Sequence, residues 1–128
     1  TFDLGKCIEE YRRNLFHMAL LAEGYGAKVL FCVQPYIGRK KKTRAEEKLA
    51  HREFLEQMEP AYAGLIEAAR EVAAKTGSVY VDTVNLFREN DEEIFYDRVH
   101  IEPKRGNALM ARHLADSLAG LPMAEKWR

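Results

Sequence analysis

An aspartate and a histidine three residues apart, Asp97 and His100, are the side chains of this sequence best suited to chemistry. In a turn of helical character, this spacing lets the carboxylate accept a hydrogen bond from one nitrogen of the imidazole ring. The other ring nitrogen is then free to act as a general base. The spacing therefore predicts an acid–base pair, although an aspartate and a histidine at this distance also occur by chance or in a structural role.

The elements around the pair predict that it lies in a loop between the last strand and the last helix. The sequence reads as helix, strand, helices, strand, loop and helix, with the two strands at 28–34 and 79–81. Strands that alternate with helices imply a parallel sheet covered on both faces. Active sites of open α/β sheets lie beyond the carboxyl ends of the strands, which is where the loop at 93–103 is expected.

Local signals predict where the helices begin and end. Asp3 is a suitable N-cap for a first helix, which Gly24 and Gly26 are expected to close. Thr43 and Glu46 have the spacing of a capping box and predict the start of a second helix. Pro60 is expected either to kink this helix or to lie in the first turn of the next one.

Apolar residues recur at helical spacing in the first and the last helix. In the first helix they are Ile8, Tyr11, Leu15, Met18, Ala22 and Tyr25. In the last helix, expected at about 104–118, the side chains predicted to face inward are Ala108, Ala111, Leu114, Ala115 and Leu118. Two strands cannot bury the apolar stripes of four helices, because a typical sheet has about five or six strands. We therefore interpret residues 1–128 as the carboxy-terminal part of one larger domain. A missing amino-terminal half, a companion chain or a second copy is expected to cover the exposed apolar faces.

The segment FYDRVHIEP at 95–103, followed by Gly106 and Asn107, resembles the last signature block of the SGNH (GDSL-like) hydrolases, a family of esterases and lipases. Weaker similarity to the preceding elements of that family extends over YRRNL, AKVLF, QP and VD at 11–15, 27–31, 34–35 and 81–82. The resemblance implies a three-layer α/β/α, flavodoxin-like sandwich with a parallel sheet. This chain would supply its later strands and helices.

The resemblance also implies a serine-type ester hydrolase that works through an acyl-enzyme. His100 would be the general base and then the general acid, and Asp97 would orient it. The nucleophile is expected outside this chain, which alone would be inactive, because neither Ser78 nor Ser117 is placed within hydrogen-bond reach of His100. A non-catalytic binding or interaction module that retains the scaffold is the alternative.

Other polar and aromatic residues have two interpretations each. Tyr36 and Tyr96 flank the expected loop mouths and could line a pocket for a small-molecule ester, or they could serve in aromatic packing. The basic run at 39–44 could rim the mouth of the site and attract anionic substrates, or it could be a solvated loop. His17, His51 and His113 show no spacing typical of metal ligands, so no metal is expected.

Composition excludes several classes of protein. The chain has 128 residues, 47% of them hydrophobic and 31% charged, which is typical of a folded domain. Its 20 lysines and arginines balance 20 aspartates and glutamates, so no nucleic acid partner is expected. There is no run of about 18 apolar residues, and hence no transmembrane segment is expected. No organic cofactor is implied, and Cys32 is expected to be a small buried hydrophobe. The cellular compartment stays open, because the sequence begins with Thr1.

Overall fold

The computed structural model describes residues 2–121, which form helices and a small parallel sheet. In chain order the elements are α1 (Leu4–Gly24), β1 (Leu30–Phe31), a 3-10 turn (Ile37–Arg39), α2 (Arg44–Leu49), α3 (Arg52–Thr76), β2 (Val79–Tyr80) and α4 (Arg105–Ala119). The predicted order of helices and strands is confirmed. The protein is therefore a mixed α/β chain with a two-stranded parallel sheet.

The chain divides into two compact units. The first contains α1, β1, α3 and β2, at residues 2–33 and 52–80. The second contains the 3-10 turn, α2, the long loop after β2, and α4, at residues 34–51 and 81–121. Among these described residues, no helix has both the length and the apolar character needed to cross a membrane.

In the first unit, α1 packs on α3 beside the two parallel strands. Leu30 lies opposite Val79, and Phe31 lies opposite Tyr80. A glycine on α3, Gly64, lies so close to α1 that an added Cβ would come within 2.2 Å of Ile8. The buried apolar side chains of this unit are Leu15, Ala19, Phe31, Val33, Tyr62, Ile66, Ala68, Ala69, Val72 and Ala73. The many alanines of α3 allow the close approach, because they place little volume between the helix and its neighbours.

Helices α1 and α2 begin where the local signals predict. The side chain of Asp3 accepts a hydrogen bond from the backbone N–H of Lys6, so Asp3 is the N-cap of α1. Thr43 and Glu46 form the predicted capping box of α2. Gly77 follows α3 with a φ of 65°, a left-handed conformation that favours glycine.

The second predicted helix is in fact two helices. After α2 the chain is non-helical at Ala50 and His51, and α3 then begins at Arg52. Pro60 lies well inside α3, and the helix continues through it, so the expectation that Pro60 lies in the first turn of a helix is wrong. An internal proline removes one backbone donor and crowds the carbonyl group four residues earlier, and the packing of the 25-residue helix outweighs these costs.

The first strand is half-buried, which corrects the expectation that both of its faces are covered. Phe31 and Val33 are buried, whereas Cys32 and Gln34 are exposed. Successive side chains of a strand point to opposite faces, so one face of this segment is open to solvent. The expectation of a buried Cys32 is therefore wrong, because no element of this chain covers that face within the described residues.

The inward face of α4 also differs from the predicted one. Of the five side chains expected to face inward, only Leu114 is partly buried, whereas Ala108, Ala111, Ala115 and Leu118 are exposed. The helix instead turns Gly106 and His113 toward the rest of the second unit. The ring atom Nε2 of His113 is hydrogen-bonded to the backbone oxygen of Asp82 at 2.9 Å. The partly buried residues of α4 are Leu109, Met110, His113, Leu114 and Ser117, which recur at helical spacing beside the predicted face.

Candidate acid–base site

Asp97 and His100 lie at the tip of a short hairpin in the second unit. Phe95 pairs with Ile101 in an antiparallel bridge, and the backbone N–H of Tyr96 donates to the carbonyl oxygen of His100 at 3.2 Å. The chain therefore reverses direction between Tyr96 and His100. Because of this reversal, the carboxylate and the imidazole lie next to each other.

The carboxylate of Asp97 accepts three hydrogen bonds from its own loop. Its Oδ1 accepts from the backbone N–H groups of Val99 at 2.8 Å and His100 at 2.7 Å. Its Oδ2 lies 2.7 Å from Nδ1 of the His100 ring, as the spacing predicts. The Val99 N–H, followed by the ring and the backbone N–H of His100, lowers the pKa of Asp97 from 3.8 to about 2.

The ionised carboxylate decides which nitrogen of His100 carries the proton. A carboxylate can only accept hydrogen bonds, so Nδ1 of a neutral His100 must be the donor. The second nitrogen, Nε2, then keeps its lone pair. Among residues 2–121, no group forms a hydrogen bond with Nε2. The arrangement can therefore take a proton from a bound hydroxyl or water.

An exposed tyrosine lies against the face of the histidine ring. Tyr96 is 58% exposed, and its ring stacks on that of His100 with the centroids 5.8 Å apart and the planes at 14°. The side chain of His100 is 57% exposed and that of Asp97 is 44% exposed. The pair is thus accessible to a ligand from solvent.

Two hydrogen bonds hold the tip of the hairpin to the segment that follows β1. The side-chain amide of Gln34 donates to the carbonyl oxygen of Val99 at 2.8 Å. The backbone N–H of Ile37 donates to the carbonyl oxygen of Arg98 at 3.0 Å. Both carbonyls belong to the two residues between Asp97 and His100. The two peptide groups at the tip are therefore held at both ends: their N–H groups bind Asp97, and their carbonyl oxygens bind Ile37 and Gln34.

A buried glutamate holds the residues that lead into the hairpin. Oε1 of Glu46 accepts from the backbone N–H groups of Ile94 at 2.9 Å and Phe95 at 3.0 Å. Its Oε2 accepts from the backbone N–H of Thr43 at 2.9 Å and from Nζ of Lys40 at 2.7 Å. The side chain of Glu46 is 0% exposed and that of Lys40 is 1% exposed.

The donors around Glu46 keep its carboxylate charged. Burial by itself raises the pKa of Glu46, but the Lys40 ammonium and the three backbone N–H groups outweigh burial, and the net pKa is lowered. Removing one partner of a buried ion pair typically costs about 3–5 kcal/mol, because the other charge is left without compensation. The expectation of a solvated basic loop is therefore wrong for Lys40. Lys41, by contrast, forms an exposed pair with Asp91, of the kind that contributes little to stability.

The two tyrosines considered for substrate contact have different environments. Tyr36 is 1% exposed and belongs to the core of the second unit. Its ring lies against Gly38, where an added Cβ would come within 2.2 Å of Cε2. This burial favours the packing interpretation for Tyr36, whereas Tyr96 is open to solvent beside His100. A substrate contact at either residue stays a prediction.

The two serines of the sequence have hydrogen-bond partners elsewhere. Oγ of Ser78 lies 2.8 Å from Oγ1 of Thr76, and Oγ of Ser117 donates to the carbonyl oxygen of His113 at 2.7 Å. Neither hydroxyl is hydrogen-bonded to His100. In the part of the chain that the structure describes, no three histidine, cysteine, aspartate or glutamate side chains come together so that they could hold a metal ion.

Sequence reasoning missed the groups that support the pair. Glu46 was identified only as the capping-box partner of Thr43, and Lys40 only as part of a charge run. Gln34 was noted only for its resemblance to a family segment. The one available signal was a glutamate at capping-box spacing, because such a residue brings a carboxylate to the start of a helix. Nothing in the sequence indicated its contact with Ile94 and Phe95.

No protein-family model matches the sequence, and no curated protein matches it. The resemblance to the SGNH hydrolases therefore rests on the residues at 95–103 and on the weaker segments before them.

Proposed function

We propose that this chain supplies the general base of an SGNH-like serine ester hydrolase, with His100 as the base and Asp97 as its orienting partner. The observation that carries the proposal is the 2.7 Å contact between Nδ1 of His100 and Oδ2 of an Asp97 that is ionised at neutral pH. This contact selects the tautomer in which Nε2 can accept a proton.

The reaction follows from that tautomer. Nε2 of His100 takes the proton of a serine hydroxyl as the hydroxyl oxygen attacks the ester carbonyl. Asp97 stabilises the imidazolium that forms, and His100 returns the proton to the departing alcohol. In the second half of the reaction, His100 takes a proton from a water molecule as its oxygen attacks the acyl carbonyl, and the proton passes to the serine oxygen when the bond to the acyl group breaks and the carboxylic acid leaves.

The nucleophile is proposed to lie on polypeptide other than the described residues. Ser78 and Ser117 support this, because each is engaged with a partner in its own helix or turn. The same polypeptide would complete the three-layer α/β/α sandwich. The open face at Cys32 and the exposed Phe16, Leu20 and Leu21 of α1 are consistent with such a cover.

A fluorophosphonate probe tests the proposal, because it forms a covalent adduct only with an activated nucleophile. The full-length protein is incubated with the probe, and its intact mass is measured. We expect one adduct on a serine outside Ser78 and Ser117, and we expect His100→Ala to abolish it. His51→Ala is a suitable control, because His51 is also exposed but lies between α2 and α3, outside the hairpin that carries Asp97 and His100.

Two results would contradict this function. Labelling that persists in the His100→Ala variant would show that another group activates the nucleophile. A full-length protein with no adduct and no ester hydrolysis would favour the alternative, a binding module that retains the scaffold. Labelling of Ser78 or Ser117 would overturn the proposed location of the nucleophile while leaving the enzyme class intact.

A further inference from the structure

Glu46 is placed where it can control the acid–base pair without touching it. One oxygen of its carboxylate binds two successive backbone N–H groups, those of Ile94 and Phe95. Phe95 is the residue that pairs with Ile101 to form the base of the hairpin. The position of the hairpin base is therefore tied to a side chain 48 and 49 residues earlier in the chain.

We propose that Glu46 is a positioning residue for the Asp97–His100 pair, acting through the backbone of Ile94 and Phe95. Glu46 holds the base of the hairpin, and Gln34 holds its tip through the carbonyl oxygen of Val99. With both ends held, the N–H groups of Val99 and His100 stay aligned on Oδ1 of Asp97. The catalytic meaning of this arrangement rests on the proposed function, whereas the arrangement itself can be tested without turnover.

The ion pair between Lys40 and Glu46 can be disturbed separately from the contact between Glu46 and the hairpin. Its Nζ donates to Oε2 of Glu46 and to the carbonyl oxygen of Lys41, and it forms no hydrogen bond with the hairpin. Lys40→Met removes the ammonium and keeps an apolar stem in the buried position. Glu46 then still accepts from Thr43, Ile94 and Phe95. This variant disturbs the buried ion pair but leaves the contact with the hairpin, which makes it the matched control.

Glu46→Gln breaks that contact. The amide oxygen of a glutamine at this position is drawn to the Lys40 ammonium, because an ammonium is its strongest donor nearby. The amide nitrogen, which can only donate, then faces the N–H groups of Ile94 and Phe95. Two donors cannot bind each other, so the base of the hairpin is released while the size of the side chain is kept.

The experiment measures the pKa of the Asp97 carboxyl by NMR titration of its carboxyl carbon in the folded full chain. We expect a value of about 2 in the wild-type protein and no change in Lys40→Met. In Glu46→Gln we expect a rise toward the ordinary value of 3.8, because the donors to Asp97 lose their alignment. Removing the negative charge of Glu46 acts in the opposite direction, since it would favour the ionised form of Asp97. A rise in the pKa of Asp97 would therefore report the lost alignment of its donors and not the lost charge of Glu46.

Two outcomes would overturn the inference: an Asp97 pKa that is unchanged in Glu46→Gln, or one that rises equally in Lys40→Met. If Glu46→Gln does not fold, amide hydrogen exchange of the wild-type protein decides. We expect the amides of Ile94 and Phe95 to be protected, and exchange as fast as in an unstructured peptide would reject the proposal. None of these readouts needs an active enzyme, so a failed esterase assay and a failed positioning test are distinguishable.

Discussion

The rings of Tyr96 and His100 stack with their centroids 5.8 Å apart and their planes at 14°. The hydrogen bond to Asp97 orients the edge of the imidazole, and the phenol ring restrains one of its faces. Both neighbours belong to the same hairpin. The ring of His100 is thus restrained at one edge and on one face, as its proposed role as a general base requires, since a misplaced base loses much of its effect.

Replacing Tyr96 tests the contribution of this stacking. Aromatic pairs are worth about 0.5–1.5 kcal/mol beyond the area that they bury, which corresponds to a fall in kcat/KM of roughly 2- to 10-fold for Tyr96→Ala. Tyr96→Phe keeps the stacked ring and is expected to stay near the wild-type rate. The measurement is the rate of hydrolysis of an activated ester by the full-length protein. Equal losses in both variants would assign the effect to the phenol hydroxyl instead.

Asp97→Asn is expected to change the tautomer of His100 while the hairpin keeps its shape. The oxygen of the asparagine can still accept from the backbone N–H groups of Val99 and His100. Its amide nitrogen is a donor, however, and it favours the tautomer in which Nε2 carries the proton. We expect the rate of ester hydrolysis to fall by about 10²- to 10⁴-fold. The nitrogen chemical shifts of the His100 ring check the tautomer directly, and an unchanged pattern of shifts would contradict this explanation.

The lowered pKa of Asp97 predicts how stability depends on pH. The folded protein has a pKa of about 2 at this residue, and the ordinary value of 3.8 represents the unfolded chain. The group therefore stabilises the folded state in full above pH 3.8, and this contribution is lost as the pH falls toward 2. Urea unfolding between pH 5 and 2 should show a steeper loss in the wild-type protein than in Asp97→Asn. Parallel curves would mean that the carboxyl has the same pKa in both states.

Substitution by alanine is expected to change the free energy of unfolding in opposite directions at two glycines. Gly106 is buried at the start of α4, and an added Cβ would lie 2.8 Å from the Cβ of Ile101. Gly106→Ala is expected to cost about 1–3 kcal/mol from overpacking, partly offset by up to about 1 kcal/mol of helix propensity. Gly24 has no atom within 4 Å of an added Cβ. Gly24→Ala should therefore leave the free energy of unfolding unchanged or raise it, as urea denaturation would show.

The two faces of α1 predict a contrast between two leucines. Leu15 is 6% exposed and Leu21 is 65% exposed. Leu15→Ala is expected to lower the free energy of unfolding by about 2–5 kcal/mol, whereas Leu21→Ala should change it by about 0.5 kcal/mol or less. Denaturation of the chain expressed alone makes this comparison. A large loss at Leu21 in this sample would show that a second copy of the chain covers this face of α1.

Short-range features of the structure could be predicted from the sequence. The cap at Asp3, the capping box of Thr43 and Glu46, and the contact between Asp97 and His100 each join residues three positions apart. Interactions of this kind depend on the local backbone conformation and on little else. The order of helices and strands was predictable for the same reason, because it follows from apolar periodicity and from turn residues.

Burial was predicted less well, because it depends on elements distant in the sequence. The apolar stripe predicted for α4 indicated one face, yet the partly buried face is another one, which carries Leu109, Met110 and His113. Cys32 lies in an apolar run but is exposed, since the strand beside it has neighbours on one face only. Periodicity identifies which residues could be buried, and only the packing of the chain determines which of them are.

The sequence by itself therefore determined the contact between Asp97 and His100, the helix caps and the order of the elements, because each depends on residues that are neighbours along the chain. The tertiary structure alone decided how the pair is held. It brings Glu46 onto the N–H groups of Ile94 and Phe95. It also buries Lys40, which belongs to the basic run at 39–44, against Glu46. A buried charge needs partners to replace water, and partners that lie almost fifty residues away along the chain can be found only when the chain has folded.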